Sequence, residues 1–315
     1  MAAKLAPAAD FIVKTVSSDS SKAPQLFSPP RNDSNAPPGM TIYVKVDLKI
    51  DNRVKQTAIF IPIGFVKGPD VDLVLFLHGF QQNDDMAISN YLQEGYGRLR
   101  EGLNASGQNI VLVAPTLGPQ SEAGVLTQAG GLDDFLVQSL SAIRAHGGSG
   151  WPDTLSVRNL VIACHSGGGA RAREIAGQKN DALDCLREHW GFDSLNSHND
   201  VPFWKPWALA HRQSRLLLFY LDNGTPVASR CEELGGLGLS NLIAKVSSAP
   251  DHMHVPVTHW TDCLKAAPFL EQKPQQVAVS DEREPIPVNR RTPMARKPKA
   301  VPTKRAGKSR MSAAV

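Results

Sequence analysis

The chain has 315 residues, 42% hydrophobic and 20% charged, which fits one sizeable globular core with extensions and excludes a low-complexity or fibrous protein. No apolar run approaches the roughly 20 residues of a membrane-spanning helix; the longest is Leu216 to Leu221. The formal charge of +4 belongs to one end: nine Lys or Arg and no acid fall between Arg290 and Arg310, and taking nine from +4 leaves about −5 for the rest, which excludes a basic nucleic-acid-binding body.

The N-terminus, "MAAKLAPAADFIVK", has its apolar stretch broken by Pro7 and Asp10, a poor core for a secretory signal. The four cysteines, at 164, 185, 231 and 263, show neither metal-ligand pairing nor a disulfide framework, so free thiols in a cytoplasmic protein are expected. Residues 1–39, rich in Ser, Pro, Ala and Asn, are expected to be flexible, with one short docked segment near Phe11 to Val16. A single domain is expected over 40–270. Residues 271–315, with recurring Pro and Lys or Arg, read as a disordered basic tail.

Within the domain, "TIYVKVDLKI" (41–50) alternates apolar and polar side chains like a half-buried strand, and "TAIFIPIGF" (57–65) reads as its neighbour. Four continuous apolar runs follow: "DLVLFL" (72–77), "NIVLVAP" (109–115), "NLVIAC" (159–164) and "RLLLFYL" (215–221). Such runs need both faces covered, which predicts a mostly parallel sheet with helices on each side. Leu132, Phe135, Leu136, Leu140 and Ile143 share one helical face, and a helix over Ala170 to Gly177 follows the third run. A shorter run, "HWGFDSL" (189–195), and a last strand, "SNLIAKVS" (240–247), complete the series.

The chemistry concentrates at "VIACHSGGG" (161–169), a strand running into a helix through Ser166. A serine held there on a tight turn is exposed, and the helix start aims free N–H groups at it. The glycine-rich run lacks the Gly-Lys-Ser/Thr of a phosphate-binding loop and the third glycine of a dinucleotide fingerprint. Two strands earlier stands "VLFLHGF" (74–80).

With "CHSGG" after one strand and an His-Gly pair after another, the chain resembles the α/β-hydrolase family over roughly 41–270, although Cys164 stands where glycine is usual. The resemblance implies the α/β-hydrolase fold and a serine hydrolase, carboxylesterase-like, with Ser166 as nucleophile and the backbone N–H groups of Phe80 (or Gln81) and Gly167 forming the oxyanion hole. The family order of nucleophile, acid and histidine puts the base in "SAPDHMHVPVTHWTDCL". There His252 is preferred, His259 is the alternative, and His254 lies between them. The acid is Asp193 or Asp222, each at a strand end, with Asp193 narrowly preferred. His78 and His165 read as loop-stabilising residues, and those at 146, 189, 198 and 211 as surface or core.

Phe203, Trp204 and Trp207 in the segment after Asp193 either line an acyl pocket or pack a short helix on the body. That segment is too short for a large mobile lid, so a small or medium ester, thioester or amide is expected as substrate. No metal or cofactor is needed. The basic tail is a candidate arm for polyanions. The alternative to an enzyme is a non-catalytic α/β-hydrolase scaffold that binds a ligand or partner, because a fold alone does not fix a function.

Overall fold

The computed structural model describes residues 23–29, 36–50, 53–80, 87–92 and 97–270. The expected docked segment near 11–16, Gln81, and the basic tail over 271–315 lie outside the described residues.

Eight strands form one sheet: β1 (Gly39–Ile50), β2 (Arg53–Pro62), β3 (Asp70–Leu77), β4 (Ile110–Pro115), β5 (Ser156–His165), β6 (Leu186–Phe192), β7 (Arg215–Tyr220) and β8 (Leu242–Val246). Their order is β1-β2-β4-β3-β5-β6-β7-β8. β1 and β2 pair antiparallel, as do β2 and β4, and every later pairing is parallel. This is the mostly parallel arrangement that the apolar runs require. β2 stops before the expected residue 65 because Gly64, at φ 69°, closes a turn in which the Phe65 N–H donates to the Pro62 carbonyl.

The helices are α1 (Ala87–Leu92), α2 (Leu99–Ser106), α3 (Gly131–His146), α4 (Gly168–Ala176), α5 (Asp200–Ala210), α6 (Pro226–Gly235) and α7 (Val255–Ala266). The two-residue period of a strand divides each run between two cores. On β3, Leu73, Leu75 and Leu77 join the core that holds Leu136, Ile175, Trp204 and Leu234 from α3, α4, α5 and α6. Val74 and Phe76 join the opposite core with Leu92, Leu103 and Trp260 from α1, α2 and α7. Each fully buried leucine contributes about 2 kcal/mol, so a strand committed to both faces is held in one register.

Residues 23–29 fall inside the stretch expected to be flexible, yet they lie along the outer edge of β1. Phe27 N–H donates to the Tyr43 carbonyl at 2.7 Å, Lys45 N–H to the Gln25 carbonyl at 2.8 Å, and His146 Nε2 to the Pro24 carbonyl at 3.1 Å. An edge strand presents unpaired backbone groups, and this short segment satisfies them. Among the described residues, no helix is long and apolar enough to cross a membrane.

Candidate active site

β5 ends at His165 and α4 begins at Gly168, leaving two residues to reverse the chain. Ser166 makes that reversal in the left-handed region, at φ 52°, a conformation that costs a non-glycine residue energy and persists only where its surroundings fix it. Here the Ser166 N–H donates to the Phe192 carbonyl on the next strand at 3.1 Å, and the Ser166 carbonyl accepts from Gly169 N–H at 3.0 Å. Cys164 is accommodated because its side chain points into the core, with Sγ 3.7 Å from His189 Nε2. Burial pushes that thiol up to about 12, so it is no competing nucleophile.

The His-Gly loop after β3 crosses the serine closely: a Cβ built on Gly79 would stand 2.7 Å from Ser166 Cβ and 3.3 Å from its Oγ. Only glycine fits there. A Cβ on Gly167 would come within 3.4 Å of the Phe80 nitrogen, so the two residues expected to form the oxyanion hole lie side by side. The Phe80 side chain itself is exposed. His78 pins this loop, accepting the Leu117 N–H on Nε2 at 2.8 Å and donating from Nδ1 to the Gly79 carbonyl at 2.7 Å. That assigns the neutral Nδ1–H tautomer.

Asp193 follows β6 directly, also left-handed at φ 47°, and its N–H donates to the Phe219 carbonyl at 2.7 Å. Its buried carboxylate accepts from His252 Nδ1 at 2.6 Å. His252 opens the one-turn 3-10 helix after β8. With Nδ1 committed to Asp193, the imidazole has Nε2 left to offer. The structure therefore joins Asp193 to His252 and leaves the alternatives elsewhere. Asp222 is exposed and lines a cavity of about 500 Å³ that His252 also borders. His259 bonds Ser247 Oγ at 2.8 Å and stacks on Phe219, ring centroids 4.2 Å apart, with burial holding its pKa below the usual histidine value. His254 pairs with Asp251 at 2.7 Å on the surface.

A second layer ties these loops together, in which His165 stabilises loops as expected and Tyr91 was not legible in the sequence. The Tyr91 hydroxyl on α1 accepts the Gly79 N–H at 3.2 Å and donates to His165 Nδ1 at 2.6 Å. His165 Nε2 donates to the His252 carbonyl at 2.9 Å, and the two imidazoles stand 4.4 Å apart. One hydrogen-bonded chain thus connects the His-Gly loop, the serine turn and the histidine loop. Burial, reinforced by the neighbouring His252, pushes His165 down to about 3. It is neutral near pH 7 and places no positive charge beside His252.

Phe203, Trp204 and Trp207 belong to α5 and pack on the body: Trp204 is buried, stacked on His189 at 4.5 Å and edge-on to Trp207 at 5.2 Å. That favours the packing alternative over a pocket lining. Among the described residues, no group of three His, Cys, Asp or Glu side chains is arranged to hold a metal ion.

No family model matches the chain, and no curated protein matches it in sequence. Solved structures do resemble it. A mutant of the feruloyl esterase module from Clostridium thermocellum, complexed with sinapinate, aligns with a TM-score of 0.52 at 13% identity, covering 80% of this chain and 95% of that one. A ferulic acid esterase aligns with a TM-score of 0.50 at 15% identity, covering 73% and 97%. At these identities the likeness is one of fold.

Proposed function

Given that this chain has the α/β-hydrolase fold, we propose that it is a serine hydrolase acting on small or medium acyl esters through an acyl-enzyme. The observation that carries the reading is the 2.6 Å bond between Asp193 and His252, two residues 59 apart in sequence, in a fold that also holds Ser166 left-handed on a strand-to-helix turn. Neither strain nor a buried carboxylate is cheap, and a bland strand-helix junction needs neither.

In this mechanism Ser166 Oγ attacks the acyl carbonyl carbon while His252 Nε2 takes the hydroxyl proton. Asp193 keeps Nδ1 protonated and stabilises the imidazolium. The carbonyl oxygen, now an oxyanion, accepts from the Phe80 and Gly167 N–H groups, each worth about a hundredfold in rate when it is removed from such a site. Collapse expels the alcohol, which receives the proton from His252. Water then repeats the sequence on the acyl-serine, with His252 again as base, and releases the acid. The packing of α5 on the body, rather than over the serine, supports a modest substrate without a large lid.

The test is labelling with a fluorophosphonate probe, wild type beside Ser166→Ala, followed by peptide mapping and by hydrolysis of p-nitrophenyl acetate. An adduct on Ser166, with turnover that the variant lacks, supports the reading. A folded wild type that takes no label and turns over no ester overturns it and leaves a binding scaffold.

A further inference from the structure

Among the described residues, five non-glycine residues adopt a left-handed backbone: Lys49, Arg98, Ser121, Ser166 and Asp193. Two of these are the nucleophile and acid of the reading above, and a third, Ser121, stands beside Gly167, the residue after the nucleophile. Ser121 lies in the loop between β4 and the 3-10 turn at Gly124–Thr127, at φ 60° and fully buried. The turn satisfies its own backbone, with Ser121 N–H donating to the Gly118 carbonyl at 2.9 Å and Gly118 N–H to the Glu122 carbonyl at 2.8 Å. The bond from Leu117 N–H to His78 Nε2 fastens the same loop to the oxyanion loop. The Ser121 hydroxyl, by contrast, is buried and has no hydrogen-bond partner among the described residues.

Its position suggests where the partner comes from. A Cβ built on Gly167 would meet Ser121 Oγ at 2.9 Å and the Phe80 nitrogen at 3.4 Å, so hydroxyl and amide both lie beside Gly167. Any side chain at 167 would crowd both the Ser121 hydroxyl and the Phe80 amide; glycine leaves the room between them open. A buried hydroxyl without a partner is destabilising, and so is left-handed backbone at serine. Both costs become intelligible if the missing partner arrives only during the reaction.

We infer that the Ser121 hydroxyl is a third donor to the oxyanion, a catalytic residue alongside the Phe80 and Gly167 amides. The inference rests on the serine-hydrolase reading. Oγ is covered in the free protein, and it reaches the acyl oxygen by rotation about Cα–Cβ as that oxygen enters between the two amides. The hydroxyl keeps its proton throughout and only donates a hydrogen bond, so no further co-reactant is involved.

The experiment compares wild type, Ser121→Ala and Ser121→Gly for hydrolysis of p-nitrophenyl acetate, inhibition by a trifluoromethyl ketone, and thermal unfolding. Glycine accepts a positive φ, so Ser121→Gly removes the hydroxyl from an unstrained turn and keeps the fold. In both variants kcat is expected to fall 10- to 100-fold with KM within about twofold, and the ketone, whose adduct carries an oxyanion, to bind correspondingly more weakly. The midpoint of Ser121→Ala is expected to hold or rise, since an unsatisfied buried hydroxyl has gone. Unchanged kcat and ketone affinity in Ser121→Gly would overturn the inference while leaving the hydrolase intact. A wild type that neither labels at Ser166 nor turns over the ester instead removes the hydrolase reading, and Ser121 falls with it.

Discussion

Acidification from pH 7 to pH 5 should destabilise the protein through two histidines that are too deeply buried to charge. Burial pushes both His165 and His189 from 6.5 down to about 3. Their stabilising contribution is therefore complete above pH 6.5 and is lost as the pH falls toward 3, because the unfolded chain binds protons that the native imidazoles refuse. At pH 5, 1.5 units below the unfolded value, each costs about 2 kcal/mol, and the pair about 4 kcal/mol. Native stabilities are commonly only 5–15 kcal/mol, so the loss is measurable. His259, also depressed by burial, adds in the same direction; Glu188, whose carboxyl burial pushes up, works against it. A difference measurement isolates one group. His189→Phe keeps an aromatic ring on Trp204, where the imidazole stacks at 4.5 Å, but cannot titrate. Urea unfolding followed by tryptophan fluorescence at pH 7, 6 and 5 should show the variant losing about 2 kcal/mol less than wild type over this range. Equal losses in the two proteins would refute the reasoning.

Asp193→Asn should lower kcat for p-nitrophenyl acetate by roughly 10³- to 10⁴-fold, since an amide cannot hold His252 in the required tautomer, whereas Asp222→Asn should stay within about twofold. Tyr91→Phe breaks the link between Gly79 and His165; kcat should drop about tenfold with KM little changed, as expected when a backbone donor is displaced from its place. All four cysteines are free and buried, and burial pushes Cys164 to about 12 and Cys185 to about 11, so the native protein should leave a disulfide-exchange reagent unconsumed at pH 8 and release four equivalents only in denaturant.

The central strands were legible because they are buried on both faces, and a short apolar run such as "DLVLFL" suits a doubly covered strand. The serine turn and the His-Gly loop were legible because each is a short local pattern whose glycines answer a steric demand. The acid and base were harder. Asp193 and Asp222 both end strands, and His252 and His259 both follow the last one; the choice is made by a side-chain bond across 59 residues, which leaves no local trace. Tyr91 and Ser121 carried no signal at all. Their positions depend on how α1 and the β4 loop fold back over the strand ends, and neither "AISNYL" nor "TLGPQSEAG" announces a neighbour. Residues 24–27 were similarly silent, since their pairing with β1 uses backbone groups that every residue possesses.

The strand ends are bolted in sequence. Ser166 hangs from the Phe192 carbonyl of β6, Asp193 from the Phe219 carbonyl of β7, and Ser247, ahead of the histidine turn, from the Tyr220 carbonyl of β7. During synthesis the serine, the aspartate and finally the imidazole leave the ribosome in that order; the first two are fixed only after the next strand has docked, whereas the segment leading to the imidazole docks on β7, a strand already made. On the proposed mechanism, a nascent chain lacking residues beyond 250 contains Ser166 and Asp193 without His252, the base. Such a chain is expected to meet esters without being acylated by them, with reactivity arising only as the last strand and its following turn fall into place.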